Sequence, residues 1–539
     1  MFCEYPRPQM ERSQWQDLCG PWNYAITRSD ARPTVWDGSI LVPFSPEAPA
    51  SGVNRTVKPG DRLWYGKTVS FPREGDRVLL HFGAVDQEAK VWCNGVFLGS
   101  HRGGYTPFTL DITDALDMDR TGELLVCVRD DTDLSPLARG KQSRTPGGIW
   151  YTPQSGIWQP VWAENVPANH IHRLRITPLF DESAVMIELF PGGTVHFRGQ
   201  DYPSPARIPM PDFIPWSPEN PYLYEFSASL GNDTVKSYFA MRKFSVENAR
   251  LCLNGKPYFH NGVLDQGYNP VGLYTYPSDE AMIWDIQTAK DMGFNTIRKH
   301  MKTEPLRWYY HCDRLGMLVW QDMPSGGDRK YTPLVINVPL ISRYHLKDDK
   351  YKLFRRTNEQ GKEDFYAELG EMIQTLYNCP CIALWCPFNE GWGQFDAASV
   401  AMFVKNLDNT RTIDHASGWH DQKYGETKSI HLYFMKYRHR PDKRGRAVLL
   451  SEFGGYNLLI EGHTWGEKNF GYSRCTDTQE LADKLCRLYA QQIRPARRAG
   501  LSAAIYTQLT DVETELNGLI TYDRQAIKLP PEDVRKIIQ

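Results

Sequence analysis

A chain of 539 residues is too long for one hydrophobic core, because compact domains hold roughly 100 to 250 residues, and it is expected to form two to four domains. Its 62 basic and 64 acidic residues leave a formal charge of −2, which argues against nucleic acid or an anionic membrane as partner and favours a neutral or small polar one. The aromatic share of 12%, with 16 Trp and 28 Tyr, suits both a large β-rich core and surfaces that stack on sugar rings.

The opening stretch MFCEYPRPQMERSQW has no apolar run behind basic residues, and no segment approaches about 18 uninterrupted apolar residues, so a cytoplasmic protein without a membrane span is expected. The eleven cysteines are scattered through apolar runs such as LLVCVRD and IALWCPF and read as buried thiols. Cys379 and Cys381 are too closely spaced for a zinc knuckle, and neither metal nor cofactor is expected.

In chain order, residues 1–165 show short alternating runs broken by turn residues, as in LWYGKTVSF, RVLLHFGAV, AKVWCNGVFLG and ELLVCVRDD, which predict a β-sandwich. Residues 166–247 continue with HRLRITPLF, SAVMIELF, YLYEFSASL and KSYFAMRKF, a smaller immunoglobulin-like β-sandwich. The Pro-rich piece YPSPARIPMPDF stands there where a strand pair would be expected. From 248 to 539 short apolar strands alternate with helical stretches, the pattern of βαβ units. The strand candidates are YFHNGVLD, NTIRKH, MLVWQD, IALWCPFN, TIDHAS, SIHLY, AVLLSEF and AAIYTQ, which predicts a (β/α)8 TIM barrel. Between the first two, Ser278 and Asp279 can cap a helix that Gly293 ends. An insertion from 325 to 362 is expected to cover the barrel mouth.

Working residues of such barrels sit at the C-terminal ends of the strands. Asp265, Arg298, His300, Asp322, Asn389, Glu390, His431, Tyr433, Glu452 and Gln508 occupy such positions. Glu390 and Glu452 follow strands four and seven, and two carboxyls facing one pocket can run glycoside hydrolysis, one as proton donor and the other activating water or attacking the anomeric carbon. Asn389 can bond the sugar 2-hydroxyl. Each also has a second reading, Asn389 and Glu390 as a helix cap and Glu452 as an ion-pair partner of Arg298. Trp392, Tyr433 and Trp465 can frame a sugar or pack in the core.

Several stretches in order resemble glycoside hydrolase family 2. GAVDQEAKVWCNGVFLGSHRGGYTPFTLDIT is similar to its jelly-roll sugar-binding motif, SGIWQPVWAE to the end of that domain, and PWSPENPYLY to its immunoglobulin-like domain. WCPFNEGWGQF resembles the acid/base motif, LLSEFGGYN the nucleophile motif and YTQLTDVETELNGLITYDR the eighth-strand region. The resemblance implies a retaining exo-β-glycosidase working by double displacement, with Glu390 as acid/base, Glu452 as nucleophile and Asn389 on the 2-hydroxyl. In NTIRKHMKTEP the family's arginine is kept as Arg298, while its histidine is displaced to His300. Glucuronide-cleaving members carry Asn-x-Lys where this chain has Glu515-Leu516-Asn517, without a cation. The expectation is therefore β-galactosidase first, with β-mannosidase or β-glucuronidase specificity, or an inactive carbohydrate-binding relative, behind it. Oligomers are common in the family, so a homo-oligomer is expected.

Overall fold

The computed structural model describes residues 4–328, 331–342 and 344–539. Strands of the first third pair antiparallel into a six-stranded sheet, in the order Gly38–Val42, Gly20–Thr27, Arg62–Ser70, Thr121–Arg129, Glu88–Cys93, Val96–Arg102. A four-stranded sheet runs Trp15–Asp17, Val161–Val166, Arg77–Phe82, Phe108–Asp111. Alternate residues such as Val78, Leu80 and Phe82 on one sheet and Leu124, Val126 and Val128 on the other share one buried cluster, the period-two burial that makes a jelly-roll sandwich.

A second sandwich follows, with three strands (Arg173–Leu179, Ala184–Phe190, Ala206–Pro209) against four (Gln200–Pro203, Thr194–Phe197, Tyr224–Leu230, Asp233–Phe239), the immunoglobulin-like unit. Its Pro-rich piece does contain a strand pair, Gln200–Pro203 and Ala206–Pro209, each at a sheet edge where a missing N–H breaks no central ladder.

A small sheet of Phe244–Glu247, Arg250–Leu253 and Lys256–Pro257 then leads into the barrel. Leu251 of this sheet packs with Leu264, Trp320, Leu384, Leu449 and Ile505 in the barrel interior. The barrel strands are β1 His260–Asp265, β2 Thr296–Lys299, β3 Leu318–Asp322, β4 Ile382–Cys386, β5 Thr412–Ile413, β6 Thr427–Leu432, β7 Ala447–Gly454 and β8 Ala503–Thr507. They form one parallel sheet in the order β5-β4-β3-β2-β1-β8-β7-β6, a nearly closed TIM barrel. The helix expected after β1 spans Asp279–Asp291, with Ser278 Oγ accepting the Ala281 N–H. The pairing of β6 with β7 slips between Ile430 and His431, and that of β7 with β8 slips between Leu450 and Phe453. Leu449 faces the barrel interior and Leu450 and Phe453 the helix layer, so this bulge accommodates Ser451 and Glu452 in succession.

We propose domain limits of 1–165, 166–247 and 248–539, supported by the separate buried clusters. The first limit is crossed by Ala84 and Tyr105 and by the segment 138–158. Ala138, Tyr151 and Trp158 pack into the barrel's cluster, not the sandwich's. Within the expected insertion, Tyr331 stacks on Trp392 and the Val335 carbonyl meets His420, so it packs over the loops after β4 and β5. Residues 329, 330 and 343 of that insertion lie outside the described residues. The ten described cysteines are free, and no described helix is long and apolar enough to cross a membrane.

Candidate active site

Arg298 of β2 is fully buried at the centre of the strand ends. Its Nε and Nη2 donate to Asp322 Oδ1 and Oδ2 of β3, both at 3.0 Å. Nη2 also donates to Asn389 Oδ1 at 2.8 Å, and Nη1 donates to Glu452 Oε1 at 3.0 Å and to the Ser451 carbonyl at 3.1 Å. A planar guanidinium with five fixed donors holds three strand ends in one geometry, which a lysine could not do.

After β4 the chain turns sharply. Glu390 and Gly391 both take left-handed backbone, with φ of +51° and +75°, and the Glu390 N–H donates to the Ser417 carbonyl at 2.9 Å. A non-glycine residue in that region costs about 1 kcal/mol or more. Here the turn brings the Glu390 carboxyl to His431 of β6, whose Nδ1 lies 2.9 Å from Glu390 Oε1. The other ring nitrogen lies 3.5 Å from Glu452 Oε1 and 3.2 Å from Ser417 Oγ. One oxygen of each glutamate and one nitrogen of His431 fall within 4.8 Å of one another. The Tyr433 hydroxyl donates to Glu452 Oε2.

The two carboxyls are driven apart in acidity. Burial raises the Glu390 carboxyl above its ordinary value, the charge of Glu452 adds to this, and the bond from His431 only partly opposes it. Burial pushes Glu452 in the same direction, but the charges of His431 and Arg298 outweigh it and hold that carboxyl at about 2. Glu390 therefore holds its proton to higher pH than Glu452 does. The three groups also have the spacing of metal ligands, yet Glu452 Oε1 already faces Arg298 and His431 spends a nitrogen on each carboxylate, so their donors are committed to each other.

The remaining expected residues divide. Asn389 reaches the cluster through Arg298, and its Nδ2 is a buried donor without a partner among the described residues. His300 Nδ1 bonds Asp322 Oδ2 at 2.7 Å, and burial pulls the imidazole down to about 4, which leaves it neutral at neutral pH. Trp392 is buried against Met301 and Tyr331. Gln508 donates to Asn517 Oδ1 at 2.7 Å, and Asn517 donates to Glu515 at 2.9 Å. Asp265 instead joins a buried ion-pair network with Lys299, which also binds Glu304, and its polar partners among the described residues do not include Glu390 or Glu452. Trp465 is 43% exposed and packs edge-on to Tyr522, again without contact to Glu390 or Glu452. Sequence reasoning missed Ser417, Lys141 and Tyr472, which stacks on Tyr433 at 3.9 Å. All three lie in loops with no periodic signal to mark them.

A pair of carboxyls of opposed acidity at the mouth of a (β/α)8 barrel is the arrangement that glycoside hydrolysis uses. Residues 244–450 match the family model for glycosyl hydrolases family 2, TIM barrel domain. A β-glucuronidase of Streptococcus agalactiae is 25% identical over 428 residues, 72% of this chain and 68% of its own length. A β-galactosidase of Priestia megaterium is 22% identical over 512 residues, 85% of this chain but 46% of the relative. The solved Faecalibacterium prausnitzii β-glucuronidase superposes with a TM-score of 0.75 at 21% identity, covering 99% of this chain and 98% of that one. The barrel of this chain thus matches the TIM barrel domain of the glycosyl hydrolases family 2.

Proposed function

We propose that this enzyme is a retaining exo-β-glycosidase in which Glu390 is the acid/base and Glu452 the nucleophile. The observation that carries the reading is the approach of the two carboxyls, whose oxygens come within 4.8 Å while their acidities are pushed in opposite directions. Retaining glycosidases hold their carboxyls about 5 to 5.5 Å apart, whereas inverting ones leave about 6.5 to 9.5 Å for a water.

In the first step Glu390 gives its proton to the glycosidic oxygen while Glu452 attacks the anomeric carbon, so the aglycone leaves and a glycosyl ester forms. Ionisation of Glu390 then lets it take a proton from water, which attacks the same carbon and frees Glu452. Arg298 and Tyr433 hold the two oxygens of Glu452 in place through both steps. Asn389, with Oδ1 tied to Arg298, is left with Nδ2 free to donate to the sugar 2-hydroxyl, a bond that strengthens as charge develops. Trp150, Tyr331 and Trp392 stack into a wall, and a walled pocket takes a chain end where a groove would take its middle.

The names of the relatives support a β-linked hexose or hexuronic acid as the terminal residue. The preference for a galactoside rested on the missing cation at 515–517, where Gln508, Asn517, Glu515 and the Tyr151 hydroxyl bond to one another in a chain. A panel of nitrophenyl β-glycosides, run on wild type and on Glu452→Ala with added azide, tests the reading. Hydrolysis lost in the variant and recovered as a glycosyl azide of inverted configuration is expected. Full activity in Glu452→Ala would refute it.

A further inference from the structure

Lys141 has no place in the chemistry above, yet it is delivered to the same pocket by the N-terminal domain. Its side chain is only 7% exposed. Among the described residues it makes no ion pair or hydrogen bond, and its ammonium faces only the rings of Trp392 at 5.3 Å and Tyr151 at 5.8 Å. A lysine mostly buried among aromatic rings without a counter-ion is placed to receive an anion arriving from outside.

The position is enforced by the backbone. The N–H groups of Arg139 and Gly140 both donate to the Ser325 carbonyl, at 2.9 and 3.0 Å, pinning this loop to the segment after β3, and the Tyr151 N–H donates to the Lys141 carbonyl at 3.0 Å. Gly140 has a left-handed φ of +59°, and a Cβ there would come within 2.5 Å of the Met301 carbonyl oxygen, next to His300. Trp392, the ring beneath the ammonium, lies two residues beyond Glu390. The charge of Lys141 bears on both Glu390 and His300.

The glutamates around the pocket are bonded to other groups. Glu452 is held by Arg298, Glu390 is paired with His431, Glu515 with Tyr151 and Asn517, and Glu513 with the Thr152 N–H. We propose that Lys141 is a specificity residue that reads the carboxylate of a terminal β-linked uronic acid. This rests on the exo-glycosidase reading and narrows its substrate to anionic sugars. A neutral hexose leaves the ammonium unpaired, whereas a uronate closes a charge-assisted bond inside an aromatic wall that excludes water. The cation absent from 515–517 is thus supplied from a different domain.

The test compares nitrophenyl β-glucuronide, β-galacturonide, 6-sulfo-β-galactoside, β-galactoside and β-glucoside on wild type, Lys141→Met and Lys141→Arg. The wild type is expected to prefer a uronide over the matching neutral sugar, with that ratio of kcat/KM falling about 100-fold in Lys141→Met and partly returning in Lys141→Arg. Thermal shifts with free glucuronate, galacturonate and galactose give a readout that needs no turnover, and only the uronates should stabilise the wild type, with the effect lost in Lys141→Met. Preference for a neutral sugar, preference for the sulfate ester, or a uronide ratio and uronate shift unchanged in Lys141→Met would each overturn the proposal. Glu452-dependent hydrolysis of neutral sugars alone would overturn it while sustaining the glycosidase reading, whereas hydrolysis independent of Glu452 would defeat that reading instead.

Discussion

Replacing Arg298 with methionine removes the guanidinium that ties β2, β3, the β4 loop and β7 together, while keeping an unbranched side chain of similar length. Asp322 and Glu452 then remain buried without their cation, and breaking a buried pair in this way costs about 3 to 5 kcal/mol of stability. The Glu452 carboxyl sits at about 2 against an ordinary 4.5, a gap worth about 3 kcal/mol, to which His431 and then Arg298 contribute. A carboxyl lowered on folding adds stability that is fully present above pH 4.5 and is lost as pH falls through about 2. Without Arg298, burial acts with less opposition, the carboxyl rises, and the acid limb of the activity profile moves up into a readily measured range. The assay is kcat/KM on an activated aryl glycoside across pH, with thermal melting alongside. A loss of about 100- to 1000-fold at neutral pH is expected, with an acid limb shifted upward by about one pH unit or more. An acid limb that does not move, with kcat/KM close to wild type, would refute the claim that Arg298 keeps the nucleophile ionised.

Four smaller perturbations follow from the same geometry. Asn389→Ala should lower kcat about 100-fold on ordinary glycosides but barely at all on a 2-deoxy glycoside, and equal losses on both would remove the 2-hydroxyl from its role. Because the Glu390 carboxyl is raised, wild-type activity should fall as pH rises through its titration; Glu390→Gln should lose that alkaline limb, and a limb that persists would assign it to another group. Tyr433→Phe removes the donor to Glu452 Oε2 and should reduce kcat about tenfold or more, read by steady-state kinetics. Gly140→Ala forces a side chain against the Met301 carbonyl and should lower stability by roughly 1 to 3 kcal/mol in thermal melting, with no loss expected only if the loop can leave the barrel.

The barrel was legible because its strands are buried on both faces and therefore read as unbroken apolar runs, each ending in a polar residue. All eight strand candidates fall on barrel strands. The same rule cannot say which way a strand-end side chain points, and so Asp265, an ion-pair partner of Lys299, was grouped with residues of the carboxylate cluster. Trp465 entered on residue type alone, and its exposure could not be read from sequence. Lys141 was invisible for a different reason. It sits in an irregular loop some 250 residues before Glu390, and only the packing of 138–158 against the barrel brings the two together. The Pro-rich strands of the second sandwich were missed because proline argues against strands in general while tolerating sheet edges.

The slip in pairing between Leu450 and Phe453 gives β7 two neighbouring residues with separate duties. Ser451 offers its carbonyl to Arg298 and its hydroxyl to Ser429, while Glu452 turns its carboxylate to Arg298, His431 and Tyr433. In an evenly pleated strand consecutive side chains leave opposite sides, so Ser451 and Glu452 could not both face inward. Deleting Ser451 would leave Leu450, Glu452 and Phe453 in even alternation, with Glu452 still facing inward, but would remove the carbonyl and the hydroxyl that Ser451 supplies. The extra residue therefore adds a second polar group at this strand end without changing which way the rest of β7 faces.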